Sequence, residues 1–333
     1  MIVNPKVSIL VPIYGVEKFI ERCAISLFEQ TFDDIEYIFV NDCTPDKSID
    51  ILKEVLEKYP YRKSQVQIIN HEVNKGVSAA RNTGIENVNG SYILQVDGDD
   101  FLELNAIEIL YNKAISDKAD IVICDYYLEW DNERKKVIQN FDFEKTNFIN
   151  MLISGEATPC FWNKLIKKEL YINYAIKTKE GVNMGEDLMV IPKLIYFSNK
   201  MTKLNIPLYH YIQLNTLSYT KKMTKKNIEN LNYVLNDLKV FFESKQDGSL
   251  YGKSLLKGKL RKKIELIYQS NVETFHDSYY IFPEINNMNN INFLSFRERI
   301  LFYFIKLDNM IILKKYLKFY NNLFEIIQRL KGR

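Results

Sequence analysis

The first hundred residues alternate between two hydrophobic patterns, and that alternation carries the first inference. Lys6–Ile13 (KVSILVPI) is an almost unbroken apolar run, as expected of a strand in a parallel sheet covered by helices on both faces. Glu17–Gln30 follows with Phe19, Ile20, Cys23, Leu27 and Phe28 gathered on one side, which predicts an amphipathic helix. Glu36–Asn41 (EYIFVN) predicts a second strand ending at Asp42. The turn CTPD then leads into a helix running to about Tyr59, with Asp46 as its N-cap. Val66–Asn70 is a third strand. Asn74–Gly76 breaks the pattern before a helix carrying Ala79, Ala80 and Arg81, and Tyr92–Val96 is a fourth strand. Strands and helices at this pitch predict right-handed βαβ units and an open, mainly parallel α/β sheet. Such sheets bind ligands beyond the carboxyl ends of their strands, where Asp42, Asn74 and Asp97 all fall.

Beyond Asp100 the pattern is coarser. It predicts a helix from Leu104 to about Asp117, a strand at Asp120–Asp125, strand and turn over Tyr126–Val137, and a short helix at Phe148–Ser154. Gly185–Tyr196 (GEDLMVIPKLIY) predicts a helix whose acidic first turn suits the helix dipole, with Pro192 placed to kink or end it. Two strand-like pieces follow, at Lys200–Asn205 and Leu208–Gln213. From Lys225 onward the pattern turns helical, over Lys225–Lys245, Leu250–Thr274 and Arg297–Leu330, without a Gly/Pro-rich linker. The expected division is an α/β domain over residues 1–222 and a helical region over residues 223–333.

Charge and cysteine usage narrow the function. With 45 Lys and Arg against 42 Asp and Glu, no global field selects nucleic acid as a partner. The four cysteines, Cys23, Cys43, Cys124 and Cys160, form no CxxC pair, and with only three histidines a zinc site or disulfide framework is not expected. A reducing cytoplasm fits that usage. The opening apolar run is too short for a signal peptide, and no later segment reaches the roughly 18 apolar residues of a membrane span. No GxGxxG and no GxxxxGK[ST] occurs, which removes the usual dinucleotide and P-loop readings.

The chemistry concentrates in Tyr92–Leu102, YILQVDGDDFL. There a strand runs straight into Asp97, Asp99 and Asp100, three carboxylates within four residues. Unpaired in a crevice, they would repel one another at a cost of several kcal/mol. A hard divalent cation removes that cost and keeps positions open for water and phosphate. The alternative is an acidic N-cap for the helix beginning near Leu104.

VPIYG, FVNDCTPDKS, NKGVSAARNTGI, YILQVDGDDFL, FWNKL and GEDLMV occur in the order and spacing of family 2 glycosyltransferases of the GT-A fold. The chain resembles that family over roughly Lys6–Tyr219, in particular the bacterial members that build capsules, exopolysaccharides, O-antigens or adhesin glycans. The resemblance implies an inverting transfer from a nucleotide-activated sugar, usually a UDP-sugar, with Mn2+ or Mg2+, to a glycan acceptor that is lipid-linked or protein-linked. It implies that Pro12 and Tyr14 lie against the base with Glu17 beside them, that Asp42 contacts the uridine, and that Asn74 and Arg81 stand near the base and the diphosphate. It implies further that Asp97 meets the ribose or sugar, that Asp99 holds the metal, and that Asp187 of the Glu186–Asp187 pair is the catalytic base. Trp162 and Lys164 match a segment beside the donor sugar and acceptor. His210, in YHY, is a candidate third metal ligand or diphosphate contact, with a buried hydrogen-bonded histidine as the alternative. Asn215–Tyr219 resembles a segment that folds over the nucleotide. Gly15, Asn41 and the turn CTPD depart from the family pattern and leave the donor sugar open. The competing functions are a sugar-nucleotide nucleotidyltransferase, which would need a Gly- and Arg-rich loop absent from Tyr14–Lys18, and a non-catalytic scaffold subunit, which would be expected to lose the carboxylates retained here.

The last segment, Ile291–Arg333, holds nine basic residues against three acidic ones, with Phe296, Ile300, Leu301, Phe304, Ile311, Ile312, Leu317, Phe324 and Ile327 near helical spacing. The reading is that these helices chiefly pack and form a homo-oligomer. Weak peripheral contact with the inner face of the cell membrane is a secondary role.

Overall fold

The computed structural model describes residues 5–139, 141, 144–215 and 223–318. The chain divides into two compact units, one of Met1–Leu152 with Glu156–Lys221, the other of Ile153–Gly155 with Lys222–Arg333.

The first unit is built on strands β1 (Val7–Ile13), β2 (Ile35–Asn41), β3 (Val66–Asn70), β4 (Tyr92–Gln95), β5 (Phe101–Leu102), β6 (Ile121–Glu129), β7 (Arg134–Val137), β8 (Lys164–Lys167) and β9 (Met201–Ile212). They form one sheet in the order β3-β2-β1-β4-β8-β6-β9-β5, with β7 paired to β6. Its first side is parallel: Val7 lies opposite Ile35 of β2 and Tyr92 of β4, and Tyr37 opposite Val66 of β3. The helices of the crossovers are α1 (Ile20–Phe28), α2 (Ser48–Glu57) and α3 (Val77–Asn87). α1 buries Ile20, Cys23, Ala24, Leu27 and Phe28 in a core shared with Val7, Ile9, Val11 and Ile13 of β1. Each such aliphatic or aromatic burial is worth about 1.5–3 kcal/mol, so these elements are set by their sequence pattern.

The other side is mixed. β8 runs antiparallel to both β4 and β6, and β5 antiparallel to β9, while β6 and β9 are parallel. The two expected strand pieces at the end of this unit are one strand, β9. Its pairing jumps from Leu204 opposite Cys124 to Pro207 opposite Asp125, then Tyr209 opposite Tyr126. That irregularity accommodates Pro207, which has no N–H to give to a ladder. Helices α4 (Ala106–Asp117), α5 (Lys145–Ser154), α6 (Lys168–Asn173) and α7 (Glu186–Phe197) complete the connections. α7 continues through Pro192, which neither ends it nor prevents Leu188–Ile191, Leu194 and Ile195 from being buried.

The second unit is helical: α8 (Lys225–Glu243), α9 (Gly252–Gln269), α10 (Phe275–Tyr280) and α11 (Phe296–Lys306), followed by helical residues 310–318. Thr224 caps α8 by accepting from the Asn227 N–H. The helix expected over Leu250–Thr274 stops at Gln269, because Asn271 Oδ1 accepts from the N–H groups of Glu273 and Thr274 and starts a new one. The helix expected over Arg297–Leu330 breaks the same way. Asp308 takes φ 47°, and Asn309 Oδ1 accepts from the N–H groups of Ile311 and Ile312. The rest of that expected helix, with Phe324 and Ile327, lies outside the described residues, as does 216–219 of the segment expected to cover the nucleotide. Among the described residues no helix is long and apolar enough to cross a membrane.

Candidate active site

Beyond the carboxyl ends of β1, β2 and β4 lies a pocket of about 440 Å³. Each wall follows from a strand that stops there. β1 ends in Pro12, Ile13 and Tyr14, and Tyr14 is half exposed. β2 delivers Asp42, β4 delivers Asp97, Gly98 and Asp99, and the N-terminal parts of α3 and α7 supply Val77, Ala80, Arg81, Glu186 and Asp187. Asn74 and Trp162 complete the expected lining residues.

Asp42 is buried and held from several sides. Its Oδ1 accepts from Lys75 N at 2.8 Å and meets His71 Nδ1 at 2.7 Å, while Oδ2 accepts from Gly76 N at 2.7 Å. Gly76 has φ 87°, and a Cβ there would stand 2.1 Å from Asn183 Nδ2. The turn therefore requires glycine for both its backbone conformation and its space.

Arg81 is almost wholly buried and joins the strand ends to α7. Its Nη1 donates to Gln95 Oε1 and its Nη2 to Asp97 Oδ1, each at 2.8 Å, and Nε stands 3.7 Å from Glu186 Oε1. Its guanidinium also lies 4.9 Å from the centroid of the Phe161 ring. Burial alone would lower its pKa, but Asp97 and Glu186 outweigh burial and hold it above its ordinary value. Burial, with the Asp187 charge, pushes the Glu186 carboxyl up to about 8.

The acidic turn after β4 splits into different roles. Asp100 is fully buried and structural: Oδ1 accepts from Ile212 N at 2.8 Å and Oδ2 from the Tyr209 hydroxyl at 2.6 Å. The same Tyr209 oxygen accepts from Asp97 N at 3.1 Å, so β9 fixes the turn from behind. Asp99 faces the pocket, with Oδ2 accepting from Asn215 Nδ2 at 2.8 Å. Burial and the Asp97 charge push its carboxyl above the usual range. Asp97 and Asp99 offer the hard oxygen donors that Mn2+ or Mg2+ prefers, so these residues fit such an ion. Among the described residues no three His, Cys, Asp or Glu side chains gather into a ready-made metal site.

Three expected site residues are corrected. His210 does not reach the pocket: it stacks between Phe101 and Tyr127, with Nδ1 2.7 Å from Glu129 Oε1 and Nε2 3.0 Å from Glu103 Oε1. Both ring nitrogens are engaged by carboxylates outside the pocket. Lys164 is buried beneath the floor, its Nζ donating to Cys160 O at 2.6 Å and Asn163 Oδ1 at 2.7 Å. Glu17 points away and accepts from Lys47 N at 3.2 Å at the start of α2. Sequence reasoning missed Phe161, Asn183 and Tyr211 as lining residues and Tyr209 as the support of the acidic turn. Tyr209 and Tyr211 flank His210 in the YHY run, whereas nothing in the local sequence marks Asn183.

Residues 8–174, half of the chain, match the sequence model of Glycosyl transferase family 2. Glycosyltransferase GlyA of Streptococcus pneumoniae is 32% identical over 223 residues, which cover 63% of this chain and 31% of that protein. The uncharacterised glycosyltransferase EpsJ of Bacillus subtilis is 37% identical over 190 residues, 55% of this chain and 54% of EpsJ. The chain thus spans about a third of the one relative and about half of the other. Among solved structures, Staphylococcus aureus TarS 1–349 in complex with UDP-GlcNAc superposes with a TM-score of 0.71 at 15% identity, covering 95% of this chain and 92% of that one. That likeness identifies the architecture as GT-A. The chain belongs to glycosyl transferase family 2.

Proposed function

We propose that this glycosyltransferase moves a sugar from a nucleotide-activated donor, a UDP-sugar, to a hydroxyl of a bacterial surface glycan, with inversion at the anomeric carbon. The observation that carries the reading is the single pocket that gathers Pro12, Tyr14 and Asp42 with Arg81, Asp97, Asp99 and Asp187. The first three form a slot for a base and its ribose. The remaining four surround the place where diphosphate and sugar would lie. The UDP-GlcNAc complex of TarS, a protein of the same architecture, supports a nucleotide-sugar donor. The α/β part, residues 1–222, is assigned donor binding and catalysis, and residues 223–333 contacts with acceptor, membrane or a second subunit.

In this reaction the acceptor oxygen forms a bond to the anomeric carbon while the bond to the diphosphate oxygen breaks on the opposite face. The leaving nucleoside diphosphate keeps the electron pair. Asp187 takes the proton from the acceptor hydroxyl, a role typically worth about 10²–10⁴-fold in rate. Arg81 places a buried cation beside Asp97, where negative charge develops on the leaving group. Asp99, with Asp97, would hold Mn2+ or Mg2+, and a bound ion would supply Lewis acidity beside the diphosphate. Trp162 packs at 4.5 Å against Tyr209 and closes the wall with a flat apolar face. The test is a panel of UDP-sugars incubated with acceptor oligosaccharides, reading released UDP with and without Mn2+. Release of pyrophosphate in place of UDP, or no turnover with any sugar, would sink the proposal.

A further inference from the structure

The second unit presents two apolar faces on one helix. α11 buries Leu301, Phe302 and Ile305 against its own unit. Its opposite side carries Phe296, Ile300, Tyr303 and Leu307 at the i, i+4, i+7, i+11 spacing of a straight helical stripe. Phe296 is 81% exposed and Tyr303 65%. In the next helical residues Ile311 and Ile312 are exposed as well. Cations flank the stripe: Arg297, Arg299, Lys306, Lys314, Lys315 and Lys318 are all exposed. Only Glu298 and Asp308 oppose them between 296 and 318, and both are engaged locally, Glu298 in a capping box with Ser295 and Asp308 by the Tyr279 hydroxyl at 2.9 Å.

We infer that this stripe is a docking surface for an anionic lipid bilayer, on which α11 and residues 310–318 lie in the plane of the headgroups. Exposed aromatics between lysines and arginines are the chemistry of an interfacial helix: the rings enter the acyl boundary while the cations stay among lipid phosphates. Charge decides against a second copy of the chain as the occupant. An isologous contact through this patch would set six cations against the same six. This surface is independent of the donor site and stands or falls apart from it.

The experiment uses the full chain with sedimenting vesicles, one set of phosphatidylcholine with phosphatidylglycerol and one of phosphatidylcholine alone. Partitioning should be about tenfold or more stronger on the anionic set and should fall as salt rises. The double variant Phe296→Ser/Tyr303→Ser and the triple variant Lys306→Gln/Lys315→Gln/Lys318→Gln should each lose about tenfold in partitioning. Thermal melting and UDP binding should stay as in the parent. The charge variant changes only exposed residues, so it tests the surface even if the apolar variant folds poorly. Equal partitioning to both vesicle sets, or none to either, overturns the inference. So does a dimer mass in light scattering that the Phe296→Ser/Tyr303→Ser variant reduces to a monomer.

Discussion

Arg81 donates through Nη2 to Asp97 Oδ1 at 2.8 Å, and this pair makes Asp97 and Asp99 chemically different. Asp97 is already matched with a buried guanidinium, itself fixed by Gln95. Asp99, two residues on, receives a neutral amide hydrogen bond from Asn215 and lies against the Asp97 charge. A divalent cation, as proposed for this site, would add positive charge beside Asp99. Arg81 in turn stands 3.7 Å from Glu186 at the start of α7, so one guanidinium ties the acidic turn after β4 to the helix that carries Asp187.

Asp99→Asn should abolish sugar transfer and metal-dependent UDP binding. Without metal it should also melt a few degrees higher than the parent, because it removes a buried charge held against Asp97. Calorimetric titration of UDP with and without Mn2+, beside thermal melting, reads both effects. Near-normal turnover with Mn2+ present would remove Asp99 from the metal role.

Asp187→Asn should leave donor affinity nearly unchanged while turnover falls by about 10²-fold or more, since only the proton acceptor is lost. Steady-state kinetics separates the two parameters. A loss confined to donor KM would point to Glu186, or to a structural role at the start of α7.

Tyr209→Phe tests the support behind the acidic turn. The hydroxyl bridges Asp97 N and Asp100 Oδ2 inside the protein. Deleting it leaves two buried polar groups short of a partner, at a cost of about 1–3 kcal/mol. Chemical denaturation should show that loss, and turnover should fall because Asp97 and Asp99 are less firmly placed. Unchanged stability would mean that water replaces the hydroxyl and that the turn needs no support from β9.

The parallel half of the sheet was legible because Val7–Ile13 and Ile35–Asn41 are nearly continuous apolar runs with no other good use. β8 was not, since Lys164–Lys167 is four residues with lysine at both ends and becomes a strand only between β4 and β6. The pocket carboxylates were legible because Asp42, Asp97 and Asp99 sit where strands stop. What local sequence could not show is which way a side chain turns. His210 and Lys164 carry ligand-capable nitrogens, but Glu103, Glu129, Cys160 and Asn163 take them up from distant or buried positions. Asp100 was the converse: a member of the acidic run whose partners, Tyr209 and Ile212, lie more than a hundred residues along the chain.

Lys263 offers a test of the second unit by pH. Its side chain is fully buried on α9, with Nζ donating to Asn286 Oδ1 at 2.8 Å. Burial lowers its pKa to about 8, against the pull of Glu284 and Asp308 in the other direction. In the unfolded chain the amine titrates near 10.4, so between about 8 and 10.4 the unfolded state binds more protons than the folded one. Stability should therefore rise with pH across that window, and below it the protein bears the full cost of a buried ammonium. Lys263→Met should remove this dependence and stabilise the protein at pH 7 by about 1–3 kcal/mol. Denaturation of parent and variant at pH 7 and pH 10 makes the comparison, because the other groups that titrate at high pH are common to both. The gap between the two proteins should narrow at pH 10. A gap that stays constant would show that Lys263 keeps its proton in the fold, with Asn286 and the nearby carboxylates making up for the lost water.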